Sequence, residues 1–309
     1  MVDVSVLIVN YNAKKILTDC LESFYKYAEG FTFEIIIVDN SDKEFITGEI
    51  LQNYPCIKFI KNPVNAGFAA ANNQGIRITE GKYILFLNND TIFVENSIKR
   101  IKEYCDSEIR DVMIGCRLLN ADGSHQHSLV EFDNPWNSFT ENFFLYKLFP
   151  SSKYFNKYYL NYYQGDAPVE TDIIKGAFMF GPAGLFKKLK GFDERFYFYS
   201  EEYDLCYRFK ELGGKVLYFP GTSIIHLGGA ATDKIPWFAF KNKCLSKIVY
   251  YKKHYSGIEY FLLLLLHYSG LAIRVPVYGI LGLFSMNKSE FRRAYYYIRQ
   301  LTVYPGNAD

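Results

Sequence analysis

Residues 83–95 have the sequence YILFLNNDTIFVE, in which an apolar run stops at Asn88, Asn89 and Asp90 and then resumes. The apolar part, Tyr83–Leu87, has the length and the composition of a buried strand. Asn-Asn-Asp is compatible with an ordinary turn at the end of that strand. It is equally compatible with polar groups placed at the carboxyl end of a strand, where a charged ligand binds. The surrounding sequence decides between the two interpretations.

Strands and helices alternate along the first half of the chain. We predict strands at Val4–Val9, Glu34–Val38, Ile57–Ile60 and Tyr83–Leu87, and helices at Lys15–Tyr27, Glu44–Asn53, Ala69–Ile78 and Glu95–Asp106. This alternation indicates an α/β fold, Rossmann-like, with a mostly parallel sheet flanked by helices. Three of the strands end in similar polar triplets, at residues 10–12, 39–41 and 88–90. Because ligands bind beyond the carboxyl ends of parallel strands, we expect the functional site there.

The second half of the chain is less regular up to Asp172. Beyond it, we predict a strand at Ile173–Phe180, a short helix from Ala183, and strands at Val216–Phe219 and Ser223–His226. Between them, Ser200 is placed to cap a helix that opens with Glu201 and Glu202, and Gly213 is placed to end it.

The composition and the charge distribution indicate two parts. The chain has 309 residues, 49% of them hydrophobic, and a net charge of only +2, yet from Lys241 onward ten Lys or Arg face three Asp or Glu. We therefore predict a catalytic domain at 1–235 and a basic, aromatic helical tail at 236–309. The six cysteines have no zinc-type spacing, and the first residues have the pattern of a strand, which favours a reducing cytoplasm.

The tail is apolar from Ile258 to Phe284, but Glu259, His267, Arg274 and Pro276 interrupt it. Its uncharged pieces are shorter than the roughly 20 residues of a membrane span. A pair of helices lying in an anionic membrane surface fits this pattern, on the cytoplasmic face of the inner membrane. The alternative is core helices or helices that form a homodimer.

Two elements provide candidate metal ligands. A carboxylate and amide oxygens at 88–90 suit a hard divalent cation such as Mg²⁺ or Mn²⁺, which would keep water and bind a diphosphate. A neutral imidazole at His226, followed by Gly228-Gly229, could complete that site. The alternatives are a simple turn at 88–90 and a structural histidine.

Acidic residues cluster at Glu201, Glu202 and Asp204. They gain from the dipole at a helix start, but their mutual repulsion is not favourable for stability. One of them could act as a general base toward an attacking hydroxyl. Elsewhere, Asp39 could accept the N–H of a pyrimidine, and Asn65 and Gly67 fit a loop whose following helix faces phosphate or ribose.

These segments together resemble family 2 glycosyltransferases, and most of all their rhamnosyltransferase-like branch. The resemblance is carried, in order over residues 4–232, by SVLIVNYN, IIIVDNSD, NPVNAGFAAANNQGI, YILFLNND, GAFMFGPAGLFKKLKGFDERFYFYSEEYDLCYRFKELG and VLYFPGTSIIHLGGAAT. It implies a GT-A fold, a nucleoside-diphosphate sugar donor, a divalent metal and inversion at the anomeric carbon.

The resemblance also implies roles for individual residues. Asn88-Asn89-Asp90 matches the Asp-x-Asp element, with Asp90 as the metal-binding acid, and His226 matches the supporting histidine. Glu201-Glu202 matches the Glu-Asp element, with Glu202 at the position of the base. Asp39 matches the acid that reads the nucleotide base, with Val9 and Tyr11 nearby. Asn88 stands where many relatives have Asp, and Glu202 where Asp is usual, so Glu201 and Asp204 stay open as alternative bases.

We therefore expect a metal-dependent transferase that moves a sugar, with rhamnose as the first candidate, from a dTDP- or UDP-linked donor to a surface glycan or a lipid-linked acceptor. A non-catalytic nucleotide-sugar-binding or scaffold protein is the main alternative. A sugar-phosphate nucleotidyltransferase would carry a Gly-rich, Arg-containing loop after the first strand, where this chain has VNYNAKK. Nucleic-acid binding is not expected, since the basic residues lie in the apolar tail rather than across the sheet.

Overall fold

A computed structural model describes residues 2–43, 46, 48–54, 56–107, 111–159, 163, 165–228 and 236–303. The chain forms two compact units. The first comprises residues 1–130 and 165–234, and the second comprises residues 131–164 and 235–309. The segment 131–164, which the sequence analysis grouped with the catalytic domain, thus belongs to the same unit as the C-terminal helices.

The first unit is built on a ten-stranded sheet. Its strands are β1 (Val4–Asn10), β2 (Phe33–Asp39), β3 (Ile57–Lys61), β4 (Tyr83–Asn88), β5 (Thr91–Phe93), β6 (Val112–Leu119), β7 (His125–Gln126), β9 (Val169–Glu170), β11 (Phe178–Pro182) and β12 (Lys215–His226). The order is β3-β2-β1-β4-β11-β6-β12-β5, with β7 on β6 and β9 on β12. Strands β8 (Leu129–Val130) and β10 (Ile173–Ile174) form a separate antiparallel pair.

The helices of this unit are α1 (Lys14–Tyr27), α2 (Gly48–Asn53), α3 (Phe68–Ile76), α4 (Ser97–Ser107), α7 (Ala183–Lys188) and α8 (Glu201–Glu211). Strands β3, β2, β1 and β4 are parallel, as predicted; the central residues of β1, β2 and β4 are buried, and those of β3 are half-buried. The predicted α/β class with a mostly parallel sheet is therefore confirmed. Residues 44, 45 and 47 of the predicted second helix lie outside the described residues.

The register of β1 aligns the polar strand ends. Asn10 is opposite Asp39 of β2, and Val9 is opposite Asn88 of β4. Parallel strands end at the same edge, so the three polar triplets found in the sequence meet there.

Three predicted elements differ from the structure. The predicted strand Ile173–Phe180 is two strands, because β10 pairs with β8 in a separate sheet, whereas β11 pairs with β4 and β6. The two predicted strands at 216–226 are one strand, β12, with a register shift around Pro220, which has no amide N–H to donate. Ser200 has a left-handed backbone (φ 66°), and its side chain does not cap α8 within the described residues.

The second unit is helical and contains α5 (Pro135–Asn142), α6 (Leu145–Leu148), α9 (Pro236–His254), α10 (Gly257–Ser285) and α11 (Lys288–Leu301). Helix α5 packs closely on α10, where a Cβ on Gly270 would lie only 2.1 Å from Asn142 Oδ1. Arg274 donates to the carbonyls of Asn142 (3.2 Å) and Glu141 (3.2 Å), so its charge neutralises the carboxyl end of α5.

The expectation that the tail is interrupted was wrong. Helix α10 runs through His267, Arg274 and Pro276 without a break for 29 residues. The polar side chains do not break the helix: Arg274 donates hydrogen bonds to α5, and His267 is buried, with no hydrogen-bond partner for its Nε2 among the described residues. By length and composition alone, α10 is the single described helix that could cross a membrane, and 22% of its most apolar window is buried.

Candidate functional site

The ends of β1 and β2 are joined by a buried polar network. Asp39 Oδ1 accepts hydrogen bonds from Asn10 Nδ2 (3.0 Å) and from the backbone amide (3.2 Å) and hydroxyl (2.5 Å) of Ser41. Asp39 Oδ2 lies 3.3 Å from Lys61 Nζ at the end of β3, and the Asp39 side chain is fully buried. The network fixes the carboxylate and leaves Oδ2 with remaining acceptor capacity beside a cation.

Asn10 also contacts the residues that follow β4. Asn89 Nδ2 donates to Asn10 Oδ1 over 2.8 Å, so the amide of Asn10 bridges Asp39 and Asn89. Asn12, with a left-handed backbone (φ 47°), binds Ser41 Oγ through its amide (2.8 Å). The three predicted strand ends therefore form one connected layer.

Asp90 and His226 meet at this edge. His226 Nε2 lies 3.3 Å from Asp90 Oδ1 and 3.3 Å from Asn88 Nδ2. The His226 side chain exposes 14% of its surface and the Asp90 side chain 11%. Strand β12 pairs antiparallel with β5, which places His226 opposite Thr91, and the Leu227 amide donates to the Asp90 carbonyl (2.9 Å). Backbone pairing thus fixes both side chains.

Glu202 approaches the same edge from α8. A Cβ on Gly176 would lie 3.8 Å from Glu202 Cβ. The next residue, Ala177, accepts a hydrogen bond from the Asn88 amide (3.1 Å) through its carbonyl. The start of α8 thus lies next to the end of β4. In space, Gly176 and Ala177 lie between Glu202 and Asn88.

The other two acids of the cluster have distinct environments. Glu201 is buried, and its Oε2 has no hydrogen-bond partner within the described residues. Burial, and then the charge of Glu202, raise the pKa of Glu201 well above its ordinary value. Asp204 is fully buried and lies 2.8 Å from Arg208, whose other nitrogens bind the Leu189 and Gly191 carbonyls. This pairing gives Asp204 a structural role.

The loop that holds Asn65 and Gly67 borders this edge. Asn65 Oδ1 accepts from the Gly67 amide (3.0 Å), and Gly67 has φ +83° and lies against Tyr197, where a Cβ would meet the Tyr197 carbonyl at 2.9 Å. Burial, and then the nearby Tyr11, raise the pKa of Tyr197. Tyr11 and Tyr197 therefore place two aromatic rings near the ends of β1 and α3.

Sequence reasoning missed three residues of this region, namely Lys61, Gln126 and Tyr197, and it placed Asn10 at the expected ligand edge without giving its side chain a role. Asn10 and Tyr197 lie inside quoted motifs, yet their side-chain partners are remote in sequence. Lys61 is the last residue of a short strand, and its sequence context did not indicate a role at the site. Gln126 accepts from His226 Nδ1 over 2.6 Å, but the segment around it has no periodic pattern that would have indicated a partner 100 positions away.

The donor set at Asp90 and His226 fits a hard divalent cation with few protein ligands. It offers one carboxylate oxygen from the turn between β4 and β5 and one imidazole nitrogen from the end of β12, which suits Mg²⁺ or Mn²⁺ that keeps water and phosphate ligands. Among the described residues, no cluster of three or more His, Cys, Asp or Glu is arranged for metal binding. A cation here would therefore depend on oxygen atoms brought by a bound ligand.

The sequence profile of glycosyl transferase family 2 matches residues 5–172, more than half of the chain, from the second residue of β1 through β9. The chain belongs to this family. The rhamnosyltransferase WbbL of Escherichia coli K12 is 26% identical to this family 2 protein over 231 residues, which cover 72% of the chain and 83% of WbbL. The minor teichoic acid biosynthesis protein GgaB of Bacillus subtilis is 30% identical over 133 residues, 41% of the chain but only 15% of GgaB.

Solved structures confirm the GT-A fold of this family 2 protein. The mannosyltransferase PcManGT of Pyrobaculum calidifontis, solved with GDP-mannose and Mn²⁺, superposes with a TM-score of 0.55 at 13% identity, over 96% of this chain and 85% of that one. GalNAc-T7, solved with UDP, GalNAc and Mn²⁺, gives 0.57 at 16% identity, over 73% of this chain and 43% of that one. At these identities the similarity shows the fold alone.

Proposed function

We propose that this protein transfers a sugar from a nucleoside-diphosphate donor to a hydroxyl of a growing surface glycan or a lipid-linked acceptor, by one in-line displacement with inversion at the anomeric carbon. The observation that carries the proposal is the 3.3 Å separation of Asp90 Oδ1 and His226 Nε2 at the carboxyl edge of the sheet. Membership of a glycosyltransferase family supports the reaction class.

Asp90 and His226 would hold the cation that accompanies the diphosphate. A divalent cation bound there supplies electrostatic stabilisation of the charge that develops on the leaving diphosphate. Asn88 and Asn89 fix the local geometry through His226 and Asn10, so the two ligand atoms need no rearrangement when the donor binds. The presence of Mn²⁺ in the two superposed glycosyltransferases supports a metal of this kind.

Glu202 is the base in this proposal. Burial, and then the charge of Glu202, raise the pKa of Glu201, which disfavours the ionised form that a general base needs. Asp204 is neutralised by Arg208 and is fully buried. Glu202 lies against Gly176, beside the strand that carries Asn88, which is the position that a base acting at this edge requires.

The nucleotide base would lie at the ends of β1 and β2. Asp39 Oδ2 can accept the ring N–H that uracil and thymine share, which favours a UDP- or dTDP-linked donor. Tyr11 and Val9 lie on β1 or directly after it, and Asn65 and Gly67 shape the loop that would face ribose or phosphate. Rhamnose is the sugar we propose first, on the strength of the similarity to WbbL.

Helices α10 and α11 are joined by Met286 and Asn287 and form a hairpin whose tip lies at this connection. This hairpin supports a peripheral position of the protein on the cytoplasmic face of the membrane. Its tip exposes large apolar side chains, with Leu283 67%, Phe284 87% and Met286 85% exposed. The first two turns of α11 add Lys288, Arg292 and Arg293 beside them. Apolar side chains next to a row of basic ones fit the boundary between acyl chains and anionic headgroups. A membrane-bound acceptor would then be presented at a fixed surface.

A panel of nucleotide sugars tests the proposal. UDP- and dTDP-linked sugars, with GDP- and CDP-linked sugars as comparisons, are scored for binding and for slow hydrolysis with Mn²⁺, with Mg²⁺ and with neither. We expect binding and hydrolysis of at least one uridine- or thymidine-linked sugar, and both should depend on the cation. Tight binding without any hydrolysis or transfer would favour a non-catalytic nucleotide-sugar-binding protein instead.

A further inference from the structure

The His226 ring has two distinct nitrogen atoms, and only one of them faces Asp90. In a neutral imidazole one nitrogen carries the proton and donates, while the other has a lone pair and accepts. Nε2 lies 3.3 Å from Asp90 Oδ1, and Nδ1 lies 2.6 Å from Gln126 Oε1. Whether Nε2 can ligate a cation therefore depends on which nitrogen carries the proton.

The orientation of the Asn120 amide is fixed by its neighbours. Ser124 Oγ donates its only hydrogen to Asp122 Oδ1 over 2.6 Å, so it can only accept from Asn120. The atom of Asn120 that faces Ser124 Oγ (2.9 Å), and the His125 carbonyl (3.5 Å), must then be the donor Nδ2. Asn120 Oδ1 therefore points toward Gln126 as an acceptor.

Gln126 is oriented in the same way. One atom of its amide faces two acceptors, Asn120 Oδ1 at 3.0 Å and the backbone carbonyl of His226 at 3.1 Å. A carbonyl can only accept, so this atom is Nε2, and both of its hydrogens are used. Gln126 Oε1 is the remaining atom, it can only accept, and it faces His226 Nδ1 at 2.6 Å. Nδ1 must carry the proton.

We infer that Gln126 is a positioning residue that, with Asn120 behind it, holds His226 in the Nδ1–H tautomer and directs the Nε2 lone pair toward Asp90. The opposite tautomer would place an N–H between the two side chains, which would bond to Asp90 and could not ligate a cation. Metal-binding histidines generally donate their other N–H to such a partner. The use of the lone pair as a cation ligand rests on the proposed function, whereas the tautomer itself does not.

Nitrogen NMR of the full chain, labelled with ¹⁵N-histidine, tests this inference without donor or metal. At about pH 8.5, some two units above the ordinary histidine pKa of about 6.5, a neutral ring shows one protonated and one bare nitrogen. The chain has five histidines, so the His226 signals are identified by their loss in His226→Ala. We expect Nδ1 protonated in the wild type. A wild-type ring protonated on Nε2 would overturn the inference.

Two substitutions of Gln126 separate positioning from simple packing. Gln126→Met keeps a similar length but removes the acceptor, so we expect the Nε2–H form to become the major one and Mn²⁺ affinity to fall about 10- to 100-fold. Gln126→Glu keeps an acceptor for Nδ1–H but loses the two hydrogen bonds that the Gln126 amide donates, so we expect the wild-type tautomer and a smaller loss of Mn²⁺ affinity than in Gln126→Met. His127→Gln, an exposed neighbour, is the matched control and should change neither.

An unchanged tautomer or unchanged Mn²⁺ affinity in Gln126→Met would contradict the inference. If Gln126→Met does not fold, the wild-type spectrum and Gln126→Glu decide, because a switch to Nε2–H in Gln126→Glu would also contradict it. A chain that shows the Nδ1–H form and its dependence on Gln126, yet turns over no nucleotide sugar, supports the inference and contradicts only the proposed function.

Discussion

His226 Nε2 lies 3.3 Å from Asp90 Oδ1, although β12 and β4 are separated by more than a hundred residues of chain. Two backbone features produce this contact: the antiparallel pairing of His226 with Thr91, and the hydrogen bond from the Leu227 amide to the Asp90 carbonyl. Asp90 lies in the two-residue turn between β4 and β5, and His226 ends β12, so the pairing of β12 with β5 sets their separation. The predictions below depend on this edge of the sheet.

Substitution of Glu202 by Gln should remove the general base and preserve the shape of the site. We expect kcat to fall about 10²- to 10⁴-fold, while donor affinity measured by calorimetry stays within a few-fold. Glu211→Gln, at the exposed far end of the same helix, is the matched control and should leave kcat unchanged. Turnover close to the wild type in Glu202→Gln would assign the base to another residue.

Asp39→Asn should alter the preference for the nucleotide base. The wild-type carboxylate can accept the ring N–H of uracil but not bond to the bare N3 of cytosine, so we expect UDP to bind more tightly than CDP. An Asn at 39 can also donate, so the UDP-to-CDP preference should fall by about 10-fold or more. Asp42→Asn, an exposed carboxylate in the same loop, serves as the control. Equal UDP and CDP affinity in the wild type would remove Asp39 from base recognition.

Glu201→Gln should stabilise the protein at neutral and alkaline pH. The folded-state pKa of Glu201 is raised by burial, so above the ordinary value of 4.5 the unfolded chain loses this proton before the folded chain does. Stability therefore decreases as pH rises from 4.5 toward the folded pKa, by at most about 1.4 kcal/mol per pH unit. Gln cannot ionise and avoids this loss.

Urea unfolding at about pH 5 and about pH 8 measures the effect. The stability gain of Glu201→Gln over the wild type should be larger at the higher pH. Glu103→Gln, an exposed carboxylate on α4, should show no such trend. A gain that is independent of pH would mean that Glu201 is ionised in the folded protein.

The hairpin tip should govern membrane binding. Burying a Phe or Met side chain is worth roughly 1.5–3 kcal/mol, so we expect Phe284→Ser with Met286→Ser to weaken binding to anionic vesicles on the order of 10²-fold or more. Leu148→Ser, at a residue of the same unit that is 68% exposed, is the control. Sedimentation with vesicles of anionic and of neutral lipid measures both. A wild-type protein that binds neither vesicle and elutes as a dimer would assign the tip to self-association.

Much of the fold and part of the site were predictable because the determining signals are local. Val4–Val9 and Tyr83–Leu87 are largely apolar runs that end in polar residues, so the parallel sheet and the polar edge that holds the candidate site followed from the sequence alone. Asp90 and His226 were selected from their positions at strand ends. Their contact depends on the pairing of β12 with β5, and β5 is a strand of three residues with little pattern of its own.

The remaining features depend on partners that are distant in the chain. Arg274 and Pro276 suggested a broken tail, but Arg274 binds the carboxyl end of α5, and the helix continues through both residues. The role of Gln126 depends on hydrogen bonds to His226, 100 positions away. The break between β10 and β11 beside Glu202 separates a strand that pairs with β8 from a strand that pairs with β4 and β6, and no local pattern indicates these partners.

Calorimetric titration of UDP and TDP into the wild type and into Asp90→Ala, with and without Mn²⁺, tests most directly whether Asp90 and His226 form one cation-dependent diphosphate site. In the wild type, Mn²⁺ should tighten the binding of at least one of the two nucleotides by about 10-fold or more, a coupling of at least about 1.4 kcal/mol. In Asp90→Ala this coupling should disappear, while the weak metal-independent binding persists. Nucleotide affinity that does not respond to Mn²⁺ in the wild type, or a coupling of full size in Asp90→Ala, would contradict the account.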